Sequence, residues 1–220
     1  MRLNTEPYLE QQQRWPATGR HILAQLDGES VVVYQAYRPE IGHFAARHGY
    51  FGGAFRLDRM SWVKPSFLWM MFRSGWGTKE GQEVTLAVWL RRWAFDALLK
   101  EAVHSTFVPE LYASPDEWQR AVAASSVRLQ WDPDHDPSGT KLERRAIQLG
   151  LRGDALARYA REWIVHIEDV SPFVEQQRPY ARPAAYNHLL VPREEIYRVL
   201  DAEVAARLGV DSCDTKIGGP

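Results

Sequence analysis

A single cysteine, Cys213, is all the thiol chemistry available to this chain of 220 residues. No internal disulfide can form, and a reducing, cytoplasmic setting is expected. A cysteine nucleophile gets no support either, because Cys213 stands alone near the end of the chain. Long apolar runs are also missing. The two longest, Phe67 to Phe72 and Val84 to Leu90, fall far short of the roughly 18 residues that suggest a membrane span. The opening residues Met1 to Glu6 lack the apolar core of a signal peptide. Excess charge of one sign is absent, since the net charge is -1. Any polyanion would therefore have to be held by a local basic patch.

Several catalytic signatures are missing. There is no cysteine pair and no two-histidine helical motif, so no metal is expected. Asp132-Pro133-Asp134-His135-Asp136 spaces its carboxylates like a calcium loop, with Glu143 at the twelfth position. Its sixth position is Pro137, where the sharp turn needs glycine, so an acidic turn is the better reading. Gly49, Gly52 and Gly53 match neither a Walker loop nor a dinucleotide fingerprint. No Gly-x-Ser-x-Gly elbow is present. The histidines are scattered, and His166, on a predicted strand face, reads as a hydrogen-bonded structural residue.

What the chain does have is concentrated in Arg59 to Gly77. Trp62, Trp69 and Trp76 alternate there with Arg59, Lys64 and Arg73, and no carboxylate intervenes. Phe67 to Phe72 is apolar on nearly every side of a helix and reads as core. The entry, Arg59 to Ser66, is different. A regular strand would put Arg59 on the face opposite Trp62 and Lys64. Lys64 and Ser66 would also adjoin a helix amino terminus, whose free amides attract anions. Aromatic, cation and helix end together suit a flat, anionic ligand.

The remaining pattern mixes strands and helices without regular alternation. Val31 to Tyr37 reads as a buried strand, and Pro39 to Gly49 as a helix closed by glycine. Arg56 to Lys64 looks extended, with a helix opened by Pro65 and ended by Gly75. Val84 to Leu90 is a predicted strand, leading into a helix to about Val103. Ser114 and Glu117 form a capping box. Val127 to Trp131, Ala146 to Leu151 and Trp163 to Val170 are further strands, and Asp154 is placed to cap a helix. Pro172 and Pro192 each suit a helix start, and Gly209 a helix end. An α+β fold with a largely antiparallel sheet follows. No repeat or long linker divides the chain, so one domain over 1–220 is expected, with 1–19 and 209–220 peripheral or mobile.

Five segments carry a resemblance: Val33 to Tyr37, Arg59 to Met71, Arg73 to Gly77, Gln130 to Pro133 and Ile147 to Leu151. Together they resemble the uncharacterised family numbered 4291 among the domains of unknown function, over most of residues 20–178. That family label implies no chemistry. The order of elements is also similar to the catalytic domain of ADP-ribosyltransferases of the poly-ADP-ribose polymerase type. The resemblance runs through Tyr34-Gln35-Ala36-Tyr37, the helix Pro39 to Gly49, the turn Phe51-Gly52-Gly53, Asp58 to Ser66, and Glu162 to His166.

It implies a split sheet and NAD as substrate, with ADP-ribose passed to an unknown acceptor, nucleic acid among the candidates. Glu162 would be the catalytic carboxylate, steadying the positive charge that develops on ribose as nicotinamide leaves. Gln35 would bind ribose, while Tyr37 or Trp62 would stack on nicotinamide. Arg59 and Lys64 would neutralise the diphosphate, with Ser66 beside them. Gln35 departs from the His or Arg of those enzymes, and Glu168 or Gln148 could stand in for Glu162. A non-catalytic module binding nucleotides or single-stranded nucleic acid by stacking is the alternative. A structural protein whose tryptophan-rich helix is only core is the third.

Overall fold

The computed structural model describes residues 3–211. The chain begins with β1 (Thr5–Pro7), α1 (Tyr8–Gln12), β2 (Leu23–Ala24), β3 (Leu26–Asp27) and β4 (Ser30–Tyr37). Next come α2 (Pro39–His48), β5 (Ser61–Val63), α3 (Phe67–Ser74), β6 (Val84–Arg91) and α4 (Arg92–Glu101). Then follow β7 (Ala102–His104), α5 (Pro115–Ala124), β8 (Val127–His135), β9 (Lys141–Leu151) and α6 (Gly153–Arg158). A π-helical turn (Tyr159–Trp163) leads into β10 (Ile164–Asp169) and α7 (Ser171–Gln177). β11 (Leu190–Pro192), β12 (Glu195–Ile196) and α8 (Ala202–Leu208) close the described chain.

Two four-stranded sheets organise these elements, and the fold is α+β. The first has the order β10-β6-β4-β3 and is antiparallel throughout. The second has the order β5-β9-β8-β7, antiparallel except for the β7–β8 pair. They meet at one point: Tyr34 N donates to Lys64 O (2.6 Å) and Lys64 N to Tyr34 O (3.2 Å). One surface of sheet thus passes from β4 to β5 and then splits.

The β-branched run explains why β4 sits at the centre. Val31 and Val33 point into one core with Leu86, Val88 and Leu90 of β6 and with Leu129, Ile147 and Leu149 of the second sheet. Val32 and Tyr34 point the other way, into a second core with Trp89, Phe67, Met70 and Met71. A strand covered on both faces needs an unbroken apolar run, which this segment supplies. The helices expected from Pro39 and Pro65 end as predicted, at Gly49 and Gly75 in the left-handed conformation, but the second starts at Phe67 with Ser66 as its cap and is not opened by Pro65. Ser114 Oγ accepts from Glu117 N (3.2 Å), while Glu117 reaches back to Ala113 N (2.9 Å).

Within residues 3–19, β1 pairs with β11 and Tyr8 is buried against Trp15 and Tyr186. Three expectations need correcting. Pro192 ends a strand instead of starting a helix, sitting opposite Thr5 at the edge of that ribbon. Arg56 to Lys64 is not extended throughout: Leu57 and Asp58 form a turn, and only Ser61–Val63 with the bridge at Lys64 is strand-like. Asp154 lies in the first turn of α6, and Arg152 holds the cap position. Cys213 lies outside the described residues. Among the described residues no helix is long and apolar enough to cross a membrane.

Candidate functional site

The carboxyl end of β4 and the start of β5 form a closed polar network. Gln35, only 2% exposed, accepts from Tyr159 OH through its Oε1 (2.7 Å). That bond fixes the amide orientation, so Nε2 is the donor side. Nε2 lies 2.7 Å from Tyr37 OH, 2.9 Å from Ser61 Oγ and 3.1 Å from Trp62 O. The two hydroxyls are themselves 2.6 Å apart.

An amide nitrogen has two hydrogens, and Trp62 O can only accept. One hydroxyl donates to the other, which leaves a single hydroxyl hydrogen unused within the network. Tyr37 and Ser61 both line a cleft of about 410 Å³, so that hydrogen is available to an acceptor bound there. Burial pushes the phenols of Tyr37 and Tyr159 up, so both stay neutral donors through the ordinary pH range.

Arginine and aromatic residues surround this floor. Arg38, Arg56 and Arg59 line the cleft together with Phe55, Ile41 and Met60. Arg38 pairs with Glu40 (3.2 Å), and Arg56 grips Asp58 through Nε (2.9 Å) and a second nitrogen. Arg59 makes no salt bridge among the described residues, although, after the stronger effect of Arg56, its charge helps to lower the neighbouring Asp58 carboxyl. Phe55 packs edge-on to Tyr37 at 5.9 Å and against Phe51 at 4.8 Å, which holds the aromatic wall in place. The adjacent glycines serve packing. A Cβ on Gly52 would come within 2.9 Å of the Phe44 ring, and Gly53 adopts φ +59° beside the same ring.

Trp62, Lys64 and Ser66 of the entry segment do not line the cleft. Trp62 lies across Gly150, where a Cβ would meet the indole at 3.0 Å and Met60 Sδ at 2.7 Å. Lys64 is buried, and burial lowers its amine to about 8, helped by the charge of Arg73 and opposed by Asp132. Asp132 is held between two amides, Gln130 at 2.8 Å and Gln148 at 2.6 Å. Trp62 and Lys64 therefore sit on the other face of the second sheet from Ser61 and the Gln35 network.

Ser66 is buried and caps α3, its Oγ accepting from Trp69 N (3.4 Å). Phe67 N donates to Glu194 Oε1 (2.6 Å). The helix terminus expected to draw an anion is thus filled by the chain's own carboxylate. Burial pushes the Glu194 carboxyl well up, although the bond from Phe67 opposes this.

The three residues considered for the site carboxylate are dispersed. Glu162 is exposed in the π-helical turn, three residues beyond Tyr159, with no hydrogen bond or ion pair among the described residues. Glu168 follows the register of Ala87 and Tyr34, so it faces the second core, away from Gln35. Gln148 is engaged with Asp132. The expected acidic turn is a strand through His135 in β8, where Asp134 pairs with Arg144 (2.7 Å), and just beyond it Asp136 takes Ser138 Oγ and Thr140 N (each 2.8 Å). Each carboxylate there has its own protein partner.

Sequence reasoning missed Ser61, Tyr159, Arg38 and Arg56. Ser61 was within reach of the alternation argument, since it shares Arg59's parity opposite Trp62. Tyr159 carried no local signal, because its partner lies 124 residues away.

The model of the family described as Domain of unknown function (DUF4291) matches residues 21–197. The chain belongs to this family. No curated protein matches it. The DUF4291 match takes in the whole Gln35 network and every residue lining the arginine cleft. It leaves out β1, α1 and α8, which border neither.

Proposed function

We propose that the arginine cleft binds a nucleotide diphosphate, that NAD is this ligand, and that the protein transfers its ADP-ribose to an acceptor. The observation that carries the ligand class is the convergence of Arg38, Arg56 and Arg59 over the Tyr37–Ser61 floor. Guanidinium groups match phosphate oxygens in planar, paired geometry, and an aromatic wall suits a base or nicotinamide ring. A volume of about 410 Å³ is in the range of small-molecule sites. The sheet that passes from β4 to β5 and then splits supports the transferase reading. In this reading Gln35 positions the Tyr37 and Ser61 hydroxyls, and Arg59 neutralises phosphate charge. Glu162 is the carboxylate assigned by the resemblance. Nucleic acid is the first acceptor class to try.

A second reading, a non-catalytic nucleotide-binding module, is favoured by one observation: Gln35 has no carboxylate among its hydrogen-bond partners.

Thermal denaturation with NAD and ADP-ribose, followed by a nicotinamide-release assay, separates the two. A ligand that binds the native state raises its apparent stability. For the transferase, NAD raises the melting temperature, nicotinamide is released, and Glu162→Gln abolishes release while NAD still stabilises the fold. Undiminished release in that variant removes Glu162 from the mechanism. Stabilisation without release in the wild type selects the binding module.

A further inference from the structure

The first sheet ends on β10, whose outer edge pairs with no strand among the described residues. Its pairing with β6 fixes which backbone groups face outward. Val170 N donates to Thr85 O (2.9 Å), and the register runs on with Glu168 opposite Ala87 and His166 opposite Trp89. Hydrogen-bonded pairs alternate along an antiparallel ladder, so these three residues direct their amides and carbonyls at β6. Ile167 and Asp169 point theirs outward, where no backbone group of the described residues meets them.

The other edges of the two four-stranded sheets are shorter. β3 has two residues, β5 and β7 three each, and β10 six. A bulge between Ile164 and His166 leaves His166–Asp169 as its regular stretch. Apolar surface adjoins it: Val165 is 41% exposed, and Trp93, which shares a cavity with it, is 58% exposed. An open edge beside exposed apolar side chains is a template for another strand.

Charge selects that strand. In a two-fold antiparallel pairing, outward-pointing residues must meet outward-pointing residues, which allows centres at His166, Ile167 or Glu168. A centre at Glu168 sets two carboxylates opposite each other, and one at His166 sets two imidazoles opposite each other. A centre at Ile167 sets Glu168 opposite His166 of the partner subunit, twice over. Such a pair lies between hydrogen-bonded ones, where side chains approach most closely. An imidazole N–H can donate to a carboxylate whether or not the ring is charged. Both residues are half-buried and share one face of the sheet.

We propose that β10 pairs with β10 of a second copy of this chain, antiparallel and centred on Ile167, so that the two first sheets become one continuous sheet. The outward amide and carbonyl of Ile167 exchange hydrogen bonds with those of Ile167 of the partner subunit. The inference does not rest on the nucleotide reading, since no residue of β10 lines the arginine cleft.

Sedimentation velocity of the full chain up to about 100 µM tests it, a range in which a micromolar dissociation constant is visible. A concentration-dependent dimer is expected. His166→Glu sets carboxylates opposite each other and Glu168→Lys sets basic groups opposite each other, so each variant alone should dimerise at least tenfold more weakly. An equimolar mixture of the two should regain the dimer as a heterodimer, because every carboxylate then faces a basic group. Val165→Asp, at an exposed position opposite Asp169 of the partner subunit, should also weaken the dimer, and it carries the test if a substitution at 166 or 168 fails to fold. A wild-type chain that stays monomeric over the whole range overturns the proposal. So does a dimer that the folded variants leave unchanged, or a mixture that associates no better than its components.

Discussion

The two faces of the short strand Ser61–Val63 have opposite roles, although both begin in the same run of aromatic and basic residues. On one face Ser61, with Arg59 just before it, borders an open cleft and joins a network whose last hydroxyl hydrogen has no partner among the described residues. On the other, Trp62 and Lys64 are consumed by the fold. The indole closes over Gly150, and the lysine backbone joins the two sheets while its amine is buried. A tryptophan and a lysine look like ligand contacts and a serine does not, yet Lys64 is buried, Trp62 is half-buried like Ser61, and of the three only Ser61 lines the cleft. Residue type identified the segment, and strand alternation decided which of its strand residues lines the cleft.

The comparison is broken most severely by removing Gln35, on which the cleft floor depends. In Gln35→Leu, Tyr159 OH loses its acceptor, and Trp62 O and one of the Tyr37 and Ser61 hydroxyls lose their donor. Each buried group left unpaired costs about 1–3 kcal/mol, so a loss of about 3 kcal/mol is expected after partial rearrangement. Urea denaturation measures it, and a loss below about 1 kcal/mol would mean that the network is not a unit.

The buried face has its own signature, a dependence of stability on pH. The Lys64 amine lies at about 8 in the folded chain against an ordinary 10.5. Below pH 8 it is charged in both states, and the folded state bears the whole cost of burying that charge. Above pH 8 the folded protein gives up this proton first, so the unfolded chain binds more protons and stability rises with pH. The rise ends near pH 10. There the tyrosines of the unfolded chain begin to lose protons that buried Tyr34, Tyr37 and Tyr159 keep, and stability falls again. Between pH 8 and 10 Lys64 by itself contributes a gain of about 2 kcal/mol, part of which the tyrosines offset by pH 10. Lys64→Met should flatten this slope. Denaturation at pH 7, 8, 9 and 10 checks it, and an unchanged slope in the variant would assign the effect to another group.

The legible parts of the fold and the site are those set by local chemistry. β4, α2, α3 and β6 follow from an apolar run, a proline start, a glycine stop and a second apolar run, and each lies close to its expected bounds. The amino-terminal ribbon was not legible. β1 holds its place through β11, across almost the whole chain, and Gln11 is fixed by Pro192 O (2.8 Å) and Glu194 N (2.6 Å). Ser66 shows the same limit. Its cap was readable from the sequence, but the occupation of the helix terminus by Glu194 was not, because that carboxylate comes from 127 residues away. Gln35 and Tyr37 entered through the resemblance and not from a local signal. Arg38, which caps α2, and Arg56, in the loop that follows it, look like ordinary surface arginines until the fold brings both to one cleft with Tyr37.

The smallest expected effect is also the one that sharpens the contrast between the two faces. Arg38 and Arg56 share their charge with Glu40 and Asp58, whereas Arg59 has no ion-pair partner among the described residues. A phosphate approaching the cleft must compete with a carboxylate at the first two but not at Arg59. Arg59→Ala should therefore weaken ADP-ribose binding about tenfold, near 1.4 kcal/mol, and reduce its dependence on salt. Arg56→Ala should weaken it less, because the guanidinium removed was already neutralised by Asp58. Lys64→Ala should change stability and leave the affinity alone, since its amine is buried on the opposite face of the strand. Calorimetric titrations of the three variants at two salt concentrations give the ranking. An affinity loss in Lys64→Ala equal to that in Arg59→Ala would show that the ligand reaches both faces of the strand, and the cleft would then be only part of its site.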